Sequence, residues 1–222
     1  MDPGRQAPAP HRPGRGRRVL DVRRRGHLPL PHRPGGRGDA LRVHPRRTTK
    51  TRLASDGTVA EETHFTWHGA TLIEQSTTSA DWTGRQNLTW DHDETGLIPL
   101  AQTTTYATTV DTPQDEVDAR FYAIVTDLVG TPTHLVDDTG HITWQSRTTL
   151  WGTTTWNPDA TAYTPLRFPG QYHDLETGHH YNLHRHYDPE TARYLTPDPL
   201  GLAPAPNPMA VHLRHWTWWT TF

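Results

Sequence analysis

The chain has 222 residues, 32% of them apolar, and its 22 Lys+Arg against 24 Asp+Glu leave a net charge of −2. It contains no Cys, which excludes a disulfide scaffold, a thiol nucleophile and any Cys-ligated metal. No run of about 18 apolar residues occurs, so a helical membrane span is excluded, and the opening Met1-Asp2-Pro3-Gly4-Arg5 lacks the apolar stretch of a signal peptide.

The near-neutral total hides two unlike parts. Residues 1–47 hold 13 Arg and no Lys against Asp2, Asp21 and Asp39, a charge of +10, which leaves −12 on the remainder. The same stretch carries 8 Pro and 7 Gly, and no helical or strand period runs through it. Ordering such a backbone costs about 1–2 kcal/mol per residue with little apolar surface to bury in return. Residues 1–45 are therefore expected to be a disordered basic Arg/Pro/Gly-rich arm. Arg-rich tails neutralise phosphates, but this one has no interleaved aromatics and no folded basic motif, so no nucleic-acid partner is expected. Text rich in Arg, Pro, Gly, Ala and His is also what a GC-rich frame yields out of register, and the arm is expected to be incidental to function.

From Arg46 onward Thr, Val, Ile, Trp, Tyr and Phe dominate, the residues that suit pleated, half-buried backbone. Gly recurs as punctuation, at Asp56-Gly57, His68-Gly69, Thr83-Gly84, Thr95-Gly96, Val129-Gly130, Thr139-Gly140, Trp151-Gly152, Pro169-Gly170 and Thr177-Gly178, as successive hairpins require. Asp56-Gly57 suits a two-residue turn with both φ angles positive. Asp138-Thr139-Gly140 suits a three-residue loop with Gly left-handed. Phe65 and Trp67 fall on one strand face; Thr71–Gln75 is the return strand. Tyr122–Thr126 and His134–Val136 flank the Leu128–Pro132 turn, and Ile142–Ser146 follows. No segment shows a sustained helical stripe, so the fold is expected to be all-β, built of successive antiparallel hairpins. Repeated hairpins bury their faces only by stacking on neighbours, and the two outer strands would be open edges that another chain or further sequence must cover.

The C-terminal third is more specific. It reads Pro165-Leu166-Arg167-Phe168-Pro169-Gly170-Gln171-Tyr172-His173-Asp174, then Glu176-Thr177-Gly178, Tyr181-Asn182, Arg185-His186-Tyr187-Asp188-Pro189-Glu190-Thr191-Ala192-Arg193-Tyr194, and Asp198-Pro199-Leu200-Gly201-Leu202. This string resembles the Rhs repeat-associated core of the Rhs/YD-repeat (teneurin-like shell) family, and Asp127–Pro132 and Leu150-Trp151-Gly152 resemble that family's preceding hairpins. The similarity covers residues 46–207. Residues 208–222 form a divergent Trp-rich tail.

The resemblance implies a spiralling β-shell that encloses a toxic C-terminal domain or forms an extracellular module, in a parent protein that is secreted or held at the cell envelope. It also implies aspartyl self-cleavage by two DPxG-type copies, whose paired carboxylates divide the labour: one ionised to activate the attacking group, the other protonated to donate. Asp198-Pro199-Leu200-Gly201 matches the first copy, and Arg185 matches a family Arg that assists the site. A second copy is absent, and no acidic residue follows Asp198. Asp198 and Arg185 are thus half of an autoproteolysis motif and are expected to be inactive, with Arg185 paired to Asp188 or Glu190 and Asp198 shaping a turn.

The histidines at 173, 179, 180, 184 and 186 crowd one region. If Tyr181–Tyr187 were one extended strand, His180, His184 and His186 would share a face, and three imidazoles can hold zinc. The family-like text accounts for this stretch as shell strand, so no metal and no cofactor is expected. Ser55, Ser76, Ser79 and Ser146 lack a Gly-x-Ser-x-Gly elbow. The expected function is structural: a fragment of a longer YD-repeat shell whose partners are the rest of that shell or an enclosed toxin domain. Two alternatives are a self-cleaving core completed by a carboxylate from a partner chain, and a secreted glycan- or cell-surface-binding module using Trp144 or Trp151.

Overall fold

The computed structural model describes residues 46–80, 82–107, 118–198, 207 and 209. The basic arm and the Trp-rich tail beyond residue 209 lie outside these described residues. Among the latter there is no helix. Nine strands follow in chain order: β1 Thr49–Leu53, β2 Val59–His68, β3 Thr71–Ser79, β4 Trp82–His92, β5 Pro99–Ala107, β6 Asp118–Thr126, β7 Pro132–Asp137, β8 Ile142–Thr148 and β9 Thr154–Trp156. Each pairs antiparallel with the next, in one sheet ordered as the chain runs. A second, four-stranded antiparallel sheet holds β10 Gln171–His173, β11 His180–Asn182, β12 Arg185–Asp188 and β13 Arg193–Tyr194.

One turn design recurs at three of the hairpins. Asp93, Asp127 and Asp137 each accept a backbone hydrogen bond from the Gly three residues on, at 2.9, 3.1 and 3.0 Å. The carboxylates cap the same loops. Asp127 Oδ1 accepts from the Val129 and Thr131 N–H groups at 3.0 and 2.9 Å, and Asp137 Oδ1 from those of Thr139 and His141 at 3.0 and 2.9 Å. The Thr139 hydroxyl and then these backbone donors hold the Asp137 carboxyl below its usual range, and Thr95 does the same for Asp93. Only the Gly has positive φ, so each loop is a tight turn closed by a left-handed residue, and strand pairing slips by one beside it. Slips occur at Arg52/Leu53, Asp91/His92, Val125/Thr126 and Leu135/Val136.

The Asp56-Gly57 turn follows this scheme instead of the mirror-image two-residue turn. Gly57 alone has positive φ, at 86°. Asp56 keeps ordinary backbone because its Oδ1 accepts from both the N–H and the hydroxyl of Thr58, at 3.0 and 2.7 Å.

Strand alternation sends one set of side chains inward: Phe65, Leu72, Leu88, Trp90, Tyr122, Ile124, Leu135 and Trp144. The chain after β9 and the second sheet cover this face with Ala162, Leu166, Tyr172 and Tyr181. Phe65 meets Tyr172 edge-on at 5.1 Å, Trp67 meets Tyr181 at 6.1 Å, and Gln102 Nε2 donates to the Tyr163 carbonyl at 2.9 Å. Trp144 is fully buried, which removes it from any glycan-binding surface; it is a core residue because β8 turns it to the inner face beside Leu135. The expectation of two open edges holds for β1, which among the described residues pairs only with β2. At the other end the outer strand is the short β9, after which the chain stays along β8, Asn157 N donating to Gln145 O and Thr161 N to Thr143 O, at 3.1 and 3.0 Å.

β11 and β12 are two strands, not one. Leu183, at φ 51°, starts a two-residue turn, so His180 pairs with Tyr187 while His186 pairs with Tyr181. The hairpin thus separates the imidazoles that a continuous strand would have aligned. No three His, Asp or Glu side chains among the described residues gather as a metal site.

An alanine Cβ at Gly57 would meet nothing within 4 Å, whereas at Gly130, φ 92°, it would lie 3.1 Å from Pro169 Cγ and 3.4 Å from Ile98 Cγ1. Gly57→Ala should therefore cost only the left-handed backbone penalty, about 1–2 kcal/mol, and Gly130→Ala distinctly more. Urea unfolding of the two variants checks this, and equal losses would refute the packing of the turn against Pro169.

Candidate functional site

Three polar clusters are built on or beside the small sheet. The first brings together the two residues singled out by the sequence. Arg185 opens β12 and Asp198 lies just past β13, with Arg185 Nη2 3.1 Å from Asp198 Oδ2 and both side chains buried. The guanidinium stacks 3.5 Å above the Tyr194 ring centroid, and the Tyr194 hydroxyl accepts from Asn182 Nδ2 at 2.7 Å. Register explains the assembly, since Asn182 opposes Arg185 across the hairpin and Tyr187 opposes Tyr194. The expected pairing of Arg185 with Asp188 or Glu190 is not what forms. Asp188 caps its own turn, accepting from Glu190 N at 2.9 Å and Thr191 Oγ1 at 2.7 Å, and the Thr191 bond holds its carboxyl below the usual range. A guanidinium locked to a carboxylate in this way orders the end of the sheet, while acid–base cleavage requires a second carboxyl group.

The second cluster has no local signature. Arg47 Nη1 donates to both Asp174 oxygens, at 3.0 and 2.7 Å, across 127 positions. Its guanidinium carbon lies 4.7, 5.1 and 4.2 Å from the ring centroids of Phe65, Tyr172 and Tyr181. The Arg47 carbonyl accepts from Trp67 Nε1 at 2.9 Å. Beside it, Lys50 Nζ donates to Glu176 at 2.9 Å and to Asp174 at 3.4 Å. Burial alone would raise the Asp174 carboxyl, but Arg47 and Lys50 hold it below its usual range. Burial would likewise depress Lys50, yet Tyr172, Asp174 and Glu176 leave it above its ordinary value.

The third cluster surrounds Arg167, which is 2% exposed. Its Nη1 donates to the Thr164 and Leu166 carbonyls at 2.9 and 2.7 Å, and Nη2 to His173 Nδ1 at 2.8 Å. Burial lowers His173 to about 2 and His180 to about 3, with the Arg167 charge as the next cause in each.

Sequence reasoning located Arg185 and Asp198 but missed Arg47, Lys50 and Asp174 as one network. The available signal was weak: acids at 174 and 176 meet bases at 47 and 50 only after the chain has closed.

A nine-stranded antiparallel meander, three of its loops Asp-x-x-Gly turns, with a small aromatic-rich sheet packed on its inner face, defines an all-β, sheet-on-sheet wall as the protein class. Residues 114–216 match the family model described as teneurin YD-shell. Over 185 residues the chain is 34% identical to double-stranded DNA deaminase toxin A of Burkholderia cenocepacia, covering 74% of this chain and 12% of that protein. It is 44% identical over 97 residues to toxin protein Tse5 of Pseudomonas aeruginosa, covering 44% and 7%. The chain belongs to the Rhs/YD-repeat shell family. It spans only 7% and 12% of the length of these relatives. The crystal structure of TcdB2-TccC3 without its hypervariable C-terminal region shares the fold, with a TM-score of 0.50 at 19% identity over 76% of this chain and 8% of that one.

Breaking a buried ion pair by removing one partner costs about 3–5 kcal/mol. Asp174→Asn and Arg47→Met should each fall in that range, and the double variant should lose less than the sum. A thermal double-mutant cycle measures this; strict additivity would show that the two groups do not interact.

Proposed function

We propose that this chain is a wall segment of an Rhs-type polymorphic-toxin shell, acting by structure and carrying out no catalysis of its own. Its partners are further strips of the same shell or a toxin domain enclosed by it, and its place of action is outside the cytoplasm, at the envelope or beyond. The observation that carries this reading is the hairpin meander itself, closed on its inner face by β10–β13 through Arg47–Asp174, Phe65–Tyr172 and Trp67–Tyr181. Exposed apolar turn tips support a larger assembly. Leu128, Val129, Leu150 and Trp151 are 107%, 58%, 81% and 55% exposed, and exposed apolar patches mark contact surfaces. Both turns lie at the same end of the meander, since β6–β7 and β8–β9 reverse in the same sense. That toxins are among the relatives accords with an enclosed cargo.

A second reading rests on the approach of Arg185 to Asp198 within 3.1 Å, at the two positions that match the family's self-cleavage motif: a partner chain would supply the missing carboxylate. Intact-mass spectrometry of the purified chain after prolonged incubation separates the two. An unchanged mass is the expected result. Scission after Leu202 that is lost in Asp198→Asn would overturn the non-catalytic reading.

A further inference from the structure

Arg167 is a buried cation held by neutral groups. The carbonyls of Thr164 and Leu166, the Tyr163 hydroxyl at 3.3 Å and His173 Nδ1 at 2.8 Å accept from its guanidinium. No carboxylate is among these acceptors. A guanidinium has no lone pair to offer, so Nδ1 of His173 must carry one. That makes the ring neutral, with its proton on Nε2. The Tyr163 hydroxyl meets the same Nδ1 at 3.1 Å.

The His173 ring in turn meets the His180 ring edge-on at 5.4 Å. His180 is 1% exposed, its Nδ1 lies 2.7 Å from Gln171 Oε1, and its ring packs 5.9 Å from that of Tyr187. The cluster lies at the joint between the sheets. Trp156 of β9 sits 5.8 Å from the Arg167 guanidinium carbon and contributes no charge. Arg167, His180 and Lys50 of β1 add positive influence on His173, and Arg167 and His179 add it on His180. The negative groups that act on His180 are Asp174 and Asp188. Asp174 is engaged by Arg47 and Lys50, and Asp188 by its own turn.

We propose that Arg167, His173 and His180 form an acid-sensitive latch between the two sheets. Neutral imidazoles close over the guanidinium; protonated ones place three cations in one dry cluster and release β10–β13 from the large sheet. The inference stands on the packing of the two sheets, whatever the shell encloses.

The direction follows from linkage. Both imidazoles are lowered in the folded chain from the ordinary 6.5, so the unfolded chain binds the protons first. The stabilisation is complete above about pH 6.5 and is lost as pH falls toward the folded values, about tenfold in the folding equilibrium per pH unit for each imidazole. Asp174, held below the usual carboxylate range, weakens only at lower pH. His92 and His186 are also lowered by burial and add to the acid loss from outside the cluster, so the test must isolate His173 and His180.

Near-ultraviolet circular dichroism and limited proteolysis of the full chain, titrated downward from neutral pH, provide the readout. The unaltered chain should lose its aromatic signature, and become cleavable between residues 157 and 198, with a midpoint above about pH 4.5. The double variant His173→Gln, His180→Gln should hold both to at least about one pH unit lower. A signature that persists in the unaltered chain to about pH 4, or a double variant with an unshifted midpoint, would overturn the latch. If the double variant does not fold at neutral pH, imidazole nitrogen NMR of the unaltered chain decides. A His173 ring that stays neutral with its proton on Nε2 up to the transition supports the proposal, and one that titrates near its ordinary value while the chain is folded defeats it.

Discussion

The guanidinium of Arg47 holds the two sheets together. Moving such an ion into the interior costs several kcal/mol, and that cost is offset only where geometry is tight and further bonds are made. Here one nitrogen reaches both oxygens of Asp174, at 3.0 and 2.7 Å, and three aromatic rings from both sheets enclose the flat cation. Lys50 adds a second base to the same carboxylate. Since Arg47 lies two residues before β1 and Asp174 immediately follows β10, the contact ties the first strand of the meander to the first strand of the small sheet. Sliding either sheet by one residue would leave a buried charge alone.

Around that tie, each hairpin is almost self-contained. The Asp-x-x-Gly loops satisfy their own backbone donors through the Asp carboxylate and admit one left-handed residue at Gly. A wall can therefore be lengthened hairpin by hairpin without new long-range contacts. The long-range specificity is concentrated in the small sheet, where Tyr172, Tyr181, Tyr187 and Tyr194 are all buried. Tyr187 and Tyr194 meet edge-on at 5.5 Å, and the Tyr187 hydroxyl reaches back to the Trp151 carbonyl at 2.8 Å. The Arg185–Asp198 pair, 3.1 Å apart, staples the end of that sheet.

Much of the wall was legible in the residues because strand alternation is a local rule. Phe65, Tyr122, Ile124 and Leu135 all face inward as their spacing requires, and the Asp138-Thr139-Gly140 loop has the form its chemistry dictates. Legibility failed where two local solutions compete. Asp56-Gly57 is compatible with two turn types, and side-chain capping by Thr58 selects one. The run from Tyr181 to Tyr187 has no Gly or Pro to announce a reversal; Leu183 takes a left-handed backbone conformation that its side chain disfavours, and burial of that side chain accompanies the strain. Trp144 was read as a surface contact, and its pairing with Leu135 of β7 made it core.

What the amino-acid order determined alone was the set of short strands, the places where they turn and the family to which the hairpins belong, because alternation and loop capping act within a few residues. The closed chain decided which charges meet. Arg47 and Lys50 are brought to Asp174, 127 and 124 positions away, only where the two sheets meet, and the energy of such buried ions depends on neighbours that lie far away along the chain. No local pattern encodes them.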